Sequence, residues 1–153
     1  GRSGFAKKIN MQFINKKIKK STKPDSILHQ AYKMMGIPYL WGGNSTKGND
    51  CSGFTQTIFK ANGIQLPRDA RQQALEGIEI IPNGDWSNIL EGDLLFFGKE
   101  DRVTHVGISL GKKEFIHQGG KVAVNSLDDG SEYFSSDRLK SFLFIKRILR
   151  QSS

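Results

Sequence analysis

The chain has 153 residues, 37% of them hydrophobic, with ten Phe and a net charge of +8 at pH 7. One domain is expected, long enough to bury a real core, and no apolar stretch approaches the length of a membrane span. Nucleic-acid binding is the class that such a charge first suggests. Eight of the 23 Lys and Arg fall within the first 23 residues, however, and Lys140, Lys146, Arg147 and Arg150 crowd the other end. No aromatic residues interleave with them as base stacking requires, so the reading is a solvated basic face with modest steering value.

Residues 1–23 read as an N-terminal extension and linker. Gly4–Asn10 has the pattern of a terminal strand of some preceding domain, and Lys16–Lys23 is Lys-rich and polar. There is no initiator Met and no signal-peptide apolar region, so the expectation is the catalytic end of a longer protein. A domain of residues 24–153 follows. Pro24 suits the first position of a helix, with Thr22 or Lys23 near its cap. The apolar face of that helix is Ile27, Leu28, Ala31, Met34 and Met35; His29 lies on it as an ordinary helix residue.

A Gly/Asn-rich loop from Gly42 to Gly48 leads into Asn49-Asp50-Cys51-Ser52-Gly53, which holds the only cysteine. Apolar residues at Phe54, Ile58 and Ala61, with a stop at Asn62-Gly63, predict a helix that begins at the cysteine. A thiol in the first turn of a helix faces unpaired N–H groups and the positive end of the dipole, which favours thiolate. A buried apolar cysteine is the other reading. Asp50 and Ser52 suit both capping and groove-lining. Farther on, Asp69 is the expected N-cap of a short helix after Leu66-Pro67-Arg68.

After Gly92-Asp93, the run Leu94–Phe97 reads as a buried central strand. Thr104–Leu110 alternates as a strand carrying His105, and Phe115–Gln118 carries His117. A tight turn at Gly111-Lys112 would set His105 opposite Gln118, one step from His117. An imidazole base beside a second ring that fixes its tautomer is what a nucleophilic cysteine needs. Val122–Ser126 and Phe142–Arg147 bring the sheet to about five strands. The loop from Leu127 to Arg138 is polar and placed to rim a groove. One Cys and two usable His without a close ligand pair offer no zinc spacing, and neither metal nor cofactor is expected.

In their order and spacing, Pro38-Tyr39-Leu40-Trp41-Gly42-Gly43, Asp50-Cys51-Ser52-Gly53, Leu66-Pro67-Arg68, Gly92-Asp93-Leu94-Leu95-Phe96-Phe97, His105-Val106-Gly107-Ile108 and His117 resemble the NlpC/P60 cysteine peptidases. That family cuts peptides of bacterial cell-wall peptidoglycan. The resemblance runs from about Ile27 to Ile148. It implies an α+β, papain-like core, with a nucleophile-bearing helix packed on an antiparallel sheet that bears the histidines. It also implies Cys51 as nucleophile, His105 as general base, His117 as the group orienting the base, and Tyr39 beside the nucleophile.

In the subset that cleaves γ-D-glutamyl bonds to a diamino acid, Pro67–Ala70 commonly reads Pro-Arg-Asp-Ser, and the acid is associated with the free amino terminus of the stem peptide. Asp69 matches, while Ala70 departs from the serine. Asp69 is open between that role and a plain cap, and Trp41 between a groove wall and a core aromatic. Arg68 either binds a substrate carboxylate or pairs with Asp93 or another acid. The implied partners are peptidoglycan stem peptides or muropeptides, with small SH3-like domains upstream in the full-length protein. A secreted or periplasmic location follows from that substrate. An amidase or acyl-transfer enzyme on the same fold, or an inactive peptidoglycan-binding module, are the rival classes.

Overall fold

The computed structural model describes residues 23–150; the calls on residues 1–22 lie outside it. Helix α1 (Pro24–Lys33) starts at its proline as expected, although Lys23 makes no side-chain cap bond. Ile27 and Ala31 are its buried face; Met35 ends up exposed. A small ribbon, β1 (Asn44–Ser45) with β2 (Gly48–Asn49), precedes α2 (Cys51–Ala61), the helix that begins at the cysteine. Ser26 Oγ donates to Asn62 Oδ1 and ties α1 to the end of α2.

A single turn of helix, α3 (Ala70–Gln73), is followed by β3 (Ile78–Ile80), β4 (Leu94–Lys99), β5 (Arg102–Gly111), β6 (Glu114–Gln118) and β7 (Val122–Ser126). Helix α4 (Ser136–Ser141) and β8 (Phe142–Arg147) complete the chain. The sheet is antiparallel with strand order β3-β8-β4-β5-β6-β7. The fold is therefore the expected α+β, with six strands where five were anticipated. The extra one, β3, is an edge strand whose Ile78 stays exposed, so no buried alternation announces it.

The sheet has two apolar faces. Phe54, Ile58 and Phe59 of α2 share one core with Leu94, Phe96, Val106, Ile108 and Ile116. Leu95, Phe97, Phe115, Leu127 and Ile145 form a second core on the other face. Beyond the bulge at the start of β5, even-numbered residues of the central strands thus serve the helix layer and odd-numbered ones the other; Val103, ahead of that bulge, joins the helix layer.

The β5–β6 turn falls at Lys112-Lys113, one residue later than the tight turn expected, and a bulge separates Ser109 from Gly111. Gly107 now faces His117. A one-residue slip moves every side chain to the opposite face. Here it sets His105 and His117 on the same face, where the expected pairing would have divided them.

Asp93 is buried at the start of β4 and pairs with Arg147 rather than Arg68. Arg147 Nε and Nη2 reach its two oxygens at 2.8 and 2.7 Å, and Leu90 N–H donates to the same carboxylate. Removing one partner of a buried pair strands the other charge. Arg147→Met should therefore lower the unfolding free energy by about 3–5 kcal/mol in urea titration. The double change Asp93→Leu, Arg147→Met should recover most of it.

Candidate active site

Cys51 is the first residue of α2, and its neighbours explain why the chain turns there. Asp50 is the N-cap: Oδ1 accepts from Gly53 N–H at 2.7 Å. Arg68 holds the same carboxylate bidentately at 2.9 and 2.8 Å, and also reaches Ser52 Oγ and the Gly43 carbonyl. Arg68 thus latches the loop of Gly43 to the first turn of α2. Gly53 has to be glycine, because a Cβ there would run into the Gly43 carbonyl oxygen. Burial alone would raise the Asp50 pKa, but the Arg68 and Gly53 bonds hold the carboxyl below its usual range.

The sulfur meets the sheet at an edge. β6 pairs with β5 only from Gly107 onward. Ser109 bonds toward β4, through Asp93 O and Gly92 N–H, so by strand alternation Val106 N–H points to the β6 side. There the thiol takes its place, on Val106 N–H and 4.0 Å from the Thr104 carbonyl. Thr104 is itself the extra residue of a bulge, since Phe97 pairs with His105 and Gly98 with Val103. Bulges re-aim side chains beside functional sites.

His105 and His117 are diagonal neighbours across Gly107. A Cβ at Gly107 would stand 3.1 Å from His117 Cβ and 3.0 Å from Phe115, so the missing side chain makes room for the second ring. His105 Nε2 and His117 Nδ1 lie 2.8 Å apart, with the rings perpendicular. His117 Nε2 lies 2.7 Å from Asn125 Oδ1 on β7, again a diagonal neighbour. Asn125 Nδ2 donates to the Tyr133 carbonyl at 3.1 Å.

These contacts assign the protons. A carbonyl only accepts, so the Asn125 NH₂ faces Tyr133 and its oxygen faces His117. His117 Nε2 then carries hydrogen and Nδ1 accepts, so His105 donates from Nε2. The lone pair of His105 is left on Nδ1. Burial, then Arg138 and His117, push the His105 pKa well below its ordinary value. Burial, against the Asn125 bond and aided by Arg138, lowers that of His117 to about 4.

The thiol departs from expectation. Cys51 occupies the predicted helix start, yet burial pushes its pKa up and outweighs the N–H bonds from Val106, Ser52 and its own backbone. The resting pair is a neutral thiol and a neutral imidazole.

The other sequence-named residues divide. Tyr39 lies where burial and the negative charges of Cys51 and Asp50 raise its pKa, against the pull of Arg68. Trp41 is 87% exposed, which rules out the core reading. Asp69 stands at the N-cap of α3 but makes no side-chain cap bond, so the plain-cap reading fails as well. Ser52 is buried between Asp50 and Arg68. Sequence reasoning missed Asn125 and Arg138. Asn125 had a signal, an amide inside a predicted strand; Arg138 had none.

His117 makes a test of stability. Its proton affinity is lower folded than unfolded, so the unfolded chain binds more protons between pH 6.5 and about 4. Stability is full above 6.5 and drains as pH falls through that window, by on the order of 3 kcal/mol. Urea unfolding at stepped pH should show this slope, and His117→Gln should remove its share while leaving the part of the same sign that comes from His105.

The sequence profile of the NlpC/P60 family matches residues 36–140. A γ-D-glutamyl-L-lysine dipeptidyl-peptidase of Bacillus subtilis (strain 168) is 46% identical over 101 residues, covering 64% of this chain and 32% of that enzyme. The chain thus spans about a third of the length of that curated relative. The crystal structure of a NlpC/P60 family protein from Bacillus cereus ATCC 10987 superposes with a TM-score of 0.73 at 29% identity, over 85% of this chain and 41% of that one. The NlpC/p60 domain of the peptidoglycan hydrolase SagA gives 0.65 at 31% identity, over 82% and 98%. With the family profile spanning most of the chain and the fold shared, the protein belongs to the NlpC/P60 family.

Proposed function

We propose that residues 24–153 form a cysteine peptidase domain that hydrolyses the amide between γ-D-Glu and a diamino acid in peptidoglycan stem peptides. The observation that carries the reading is the bonded row His105–His117–Asn125, whose first residue lies between Thr104 and Val106, the two backbone neighbours of the Cys51 sulfur. Nothing in the packing of the sheet requires two buried imidazoles and an amide in line. A general base in a fixed tautomer does.

In this mechanism the Cys51 thiol gives its proton to His105 Nδ1 as sulfur attacks the γ-carbonyl carbon of D-Glu. The oxyanion is received by the Cys51 N–H, which has no intrahelical acceptor at its position. The imidazolium returns the proton to the diamino acid nitrogen, the C–N bond breaks, and a thioester remains. Water, deprotonated by the same base, releases the glutamyl product and the thiol. His117 and Asn125 hold the base in register and share its transient charge.

Substrate contacts fall to Tyr39, Trp41 and Asp69, with Arg68, Asp50 and Ser52 behind them. Because its side chain is not used as a cap, Asp69 is free to take the ammonium of the stem peptide. Asp50 and Ser52 act from behind, by shaping the first turn of α2 through Arg68. A secreted or periplasmic location follows from the substrate.

Mass spectrometry of L-Ala-γ-D-Glu-L-Lys after incubation should show cleavage behind D-Glu, and Cys51→Ala should abolish it. An intact peptide with the unaltered protein would sink the reading. N-acetylation of the peptide should weaken cleavage if Asp69 holds the amine. His105→Ala should lose on the order of 10²–10⁴-fold in kcat, the usual share of general acid–base catalysis. Asn125→Leu should lose less, with KM nearly constant, because only the tautomer is released. Since the base stays neutral well below pH 6.5, kcat/KM should hold through that pH as the solution is acidified.

A further inference from the structure

Among the described residues, three arginines are half-buried: Arg68, Arg138 and Arg147. Two have their counter-ion inside the fold, Arg68 on Asp50 and Arg147 on Asp93. Arg138 makes no ion pair among the described residues; the negative groups that act on it from a distance are Cys51 and Asp137. It lies on α4, whose cap is Ser135 Oγ accepting from Arg138 N–H. Its guanidinium carbon stands 5.7 Å from the centroid of the Phe97 ring, and that ring is 5.7 Å from the His105 ring. On the other side, Arg138 Nη2 is 3.4 Å from the point where a Gly119 Cβ would stand, and His117 Nδ1 is 3.1 Å from the same point. The cation therefore sits against both histidines, and its charge is one of the causes that keep them neutral.

A half-buried guanidinium without a counter-ion costs stability and works against protonating the base beside it. Such a group persists where a ligand brings the anion, and breaches of good packing practice gather at functional sites. Its place says which part of the ligand. The acyl half of the substrate belongs with Cys51 and the cluster of Tyr39, Arg68 and Asp69. The amine leaves on the side of His105, which protonates it. In the released amino acid the α-carboxyl is bonded to the same carbon as that nitrogen. A carboxylate there lies one carbon beyond the atom that His105 serves, on the flank where Arg138 stands.

We propose that Arg138 binds the free α-carboxylate of the amino acid released from the scissile bond, so that the protein favours peptides ending at that residue. A planar, five-donor fork suits a carboxylate bidentately, and stacking on Phe97 pre-orders it. Peptides continued by a further residue have an amide in that place and forfeit the ion pair. The released product then carries its own counter-charge out of the site, which returns the histidines to their resting surroundings. The inference rests on the peptidase reading above and refines its leaving-group side.

The test compares kcat/KM for L-Ala-γ-D-Glu-L-Lys as free acid and as C-terminal amide. The unaltered protein should prefer the acid by about ten- to a hundredfold, the usual worth of a hydrogen-bonded charge pair. Arg138→Gln should collapse that ratio toward one, and Arg138→Lys should keep part of it. Equal cleavage of acid and amide by the unaltered protein overturns the inference while leaving the peptidase reading intact, and it needs no variant to fold. A ratio that survives Arg138→Gln overturns it too, because a merely structural or electrostatic role lowers both rates together. Cleavage of neither peptide removes the peptidase reading, and this inference with it.

Discussion

The hydrogen bond between His105 and His117 depends on a strand register, and most of the site depends on that bond. Two imidazoles on adjacent strands meet only if both leave the same face of the sheet, and a single-residue slip would part them. The bulge between Ser109 and Gly111, with the turn displaced to Lys112-Lys113, sets the pairing that brings them together. Gly107 between them supplies the space. Each step of the row His105, His117, Asn125 is then the same diagonal step, repeated across three strands. The geometry is inherited from the pleat and pairing of the sheet rather than from loops, so His105 is held by hydrogen-bonded strands.

Cys51 is held differently, by a latch at a helix start. Asp50 receives Gly53 N–H, Gly42 N–H and both arms of Arg68, so that one carboxylate joins a loop, a helix and the segment before α3. Charge is neutralised locally in that latch and again at Asp93 and Arg147. The histidine side is arranged in the opposite sense, with two neutral imidazoles beside a cation that stacks on Phe97 and makes no ion pair among the described residues. In the proposed mechanism the imidazolium is needed only in passing, and burial, aided by Arg138, defends the resting histidines against protonation at low pH.

Burial explains why the thiol does not behave as a helix start alone predicts. The N–H groups of the first turn do act on the sulfur, but removal from water outweighs them. In the proposed mechanism a neutral thiol and a neutral imidazole keep the resting site uncharged and reserve the ion pair for the reaction, when substrate excludes water and the amide accepts the negative charge.

Local chemistry was legible in the chain. The helix start at Cys51, the cap at Asp50, the apolar strand at Leu94–Phe97 and both histidine strands each depend on neighbours within a few residues. Motif spacing named Cys51, His105 and His117 and the α+β layering with them. Partner choice was not legible. Arg68 answers Asp50, 18 residues away, and Arg147 answers Asp93, 54 residues away, and nothing along the chain distinguishes those pairings from the reverse. Register was decided by a bulge at Ser109 to Gly111, where Gly111 marks a turn but not how many residues the irregularity takes. Asn125 could be placed on a strand, but its alignment with His117 follows from that register, and Arg138 reaches the histidines only because α4 folds back over β4. The sequence by itself determined which groups are capable of the chemistry. The tertiary structure alone decided which of them meet, because contact between distant segments is set by long-range packing and not by the propensities of the residues that touch.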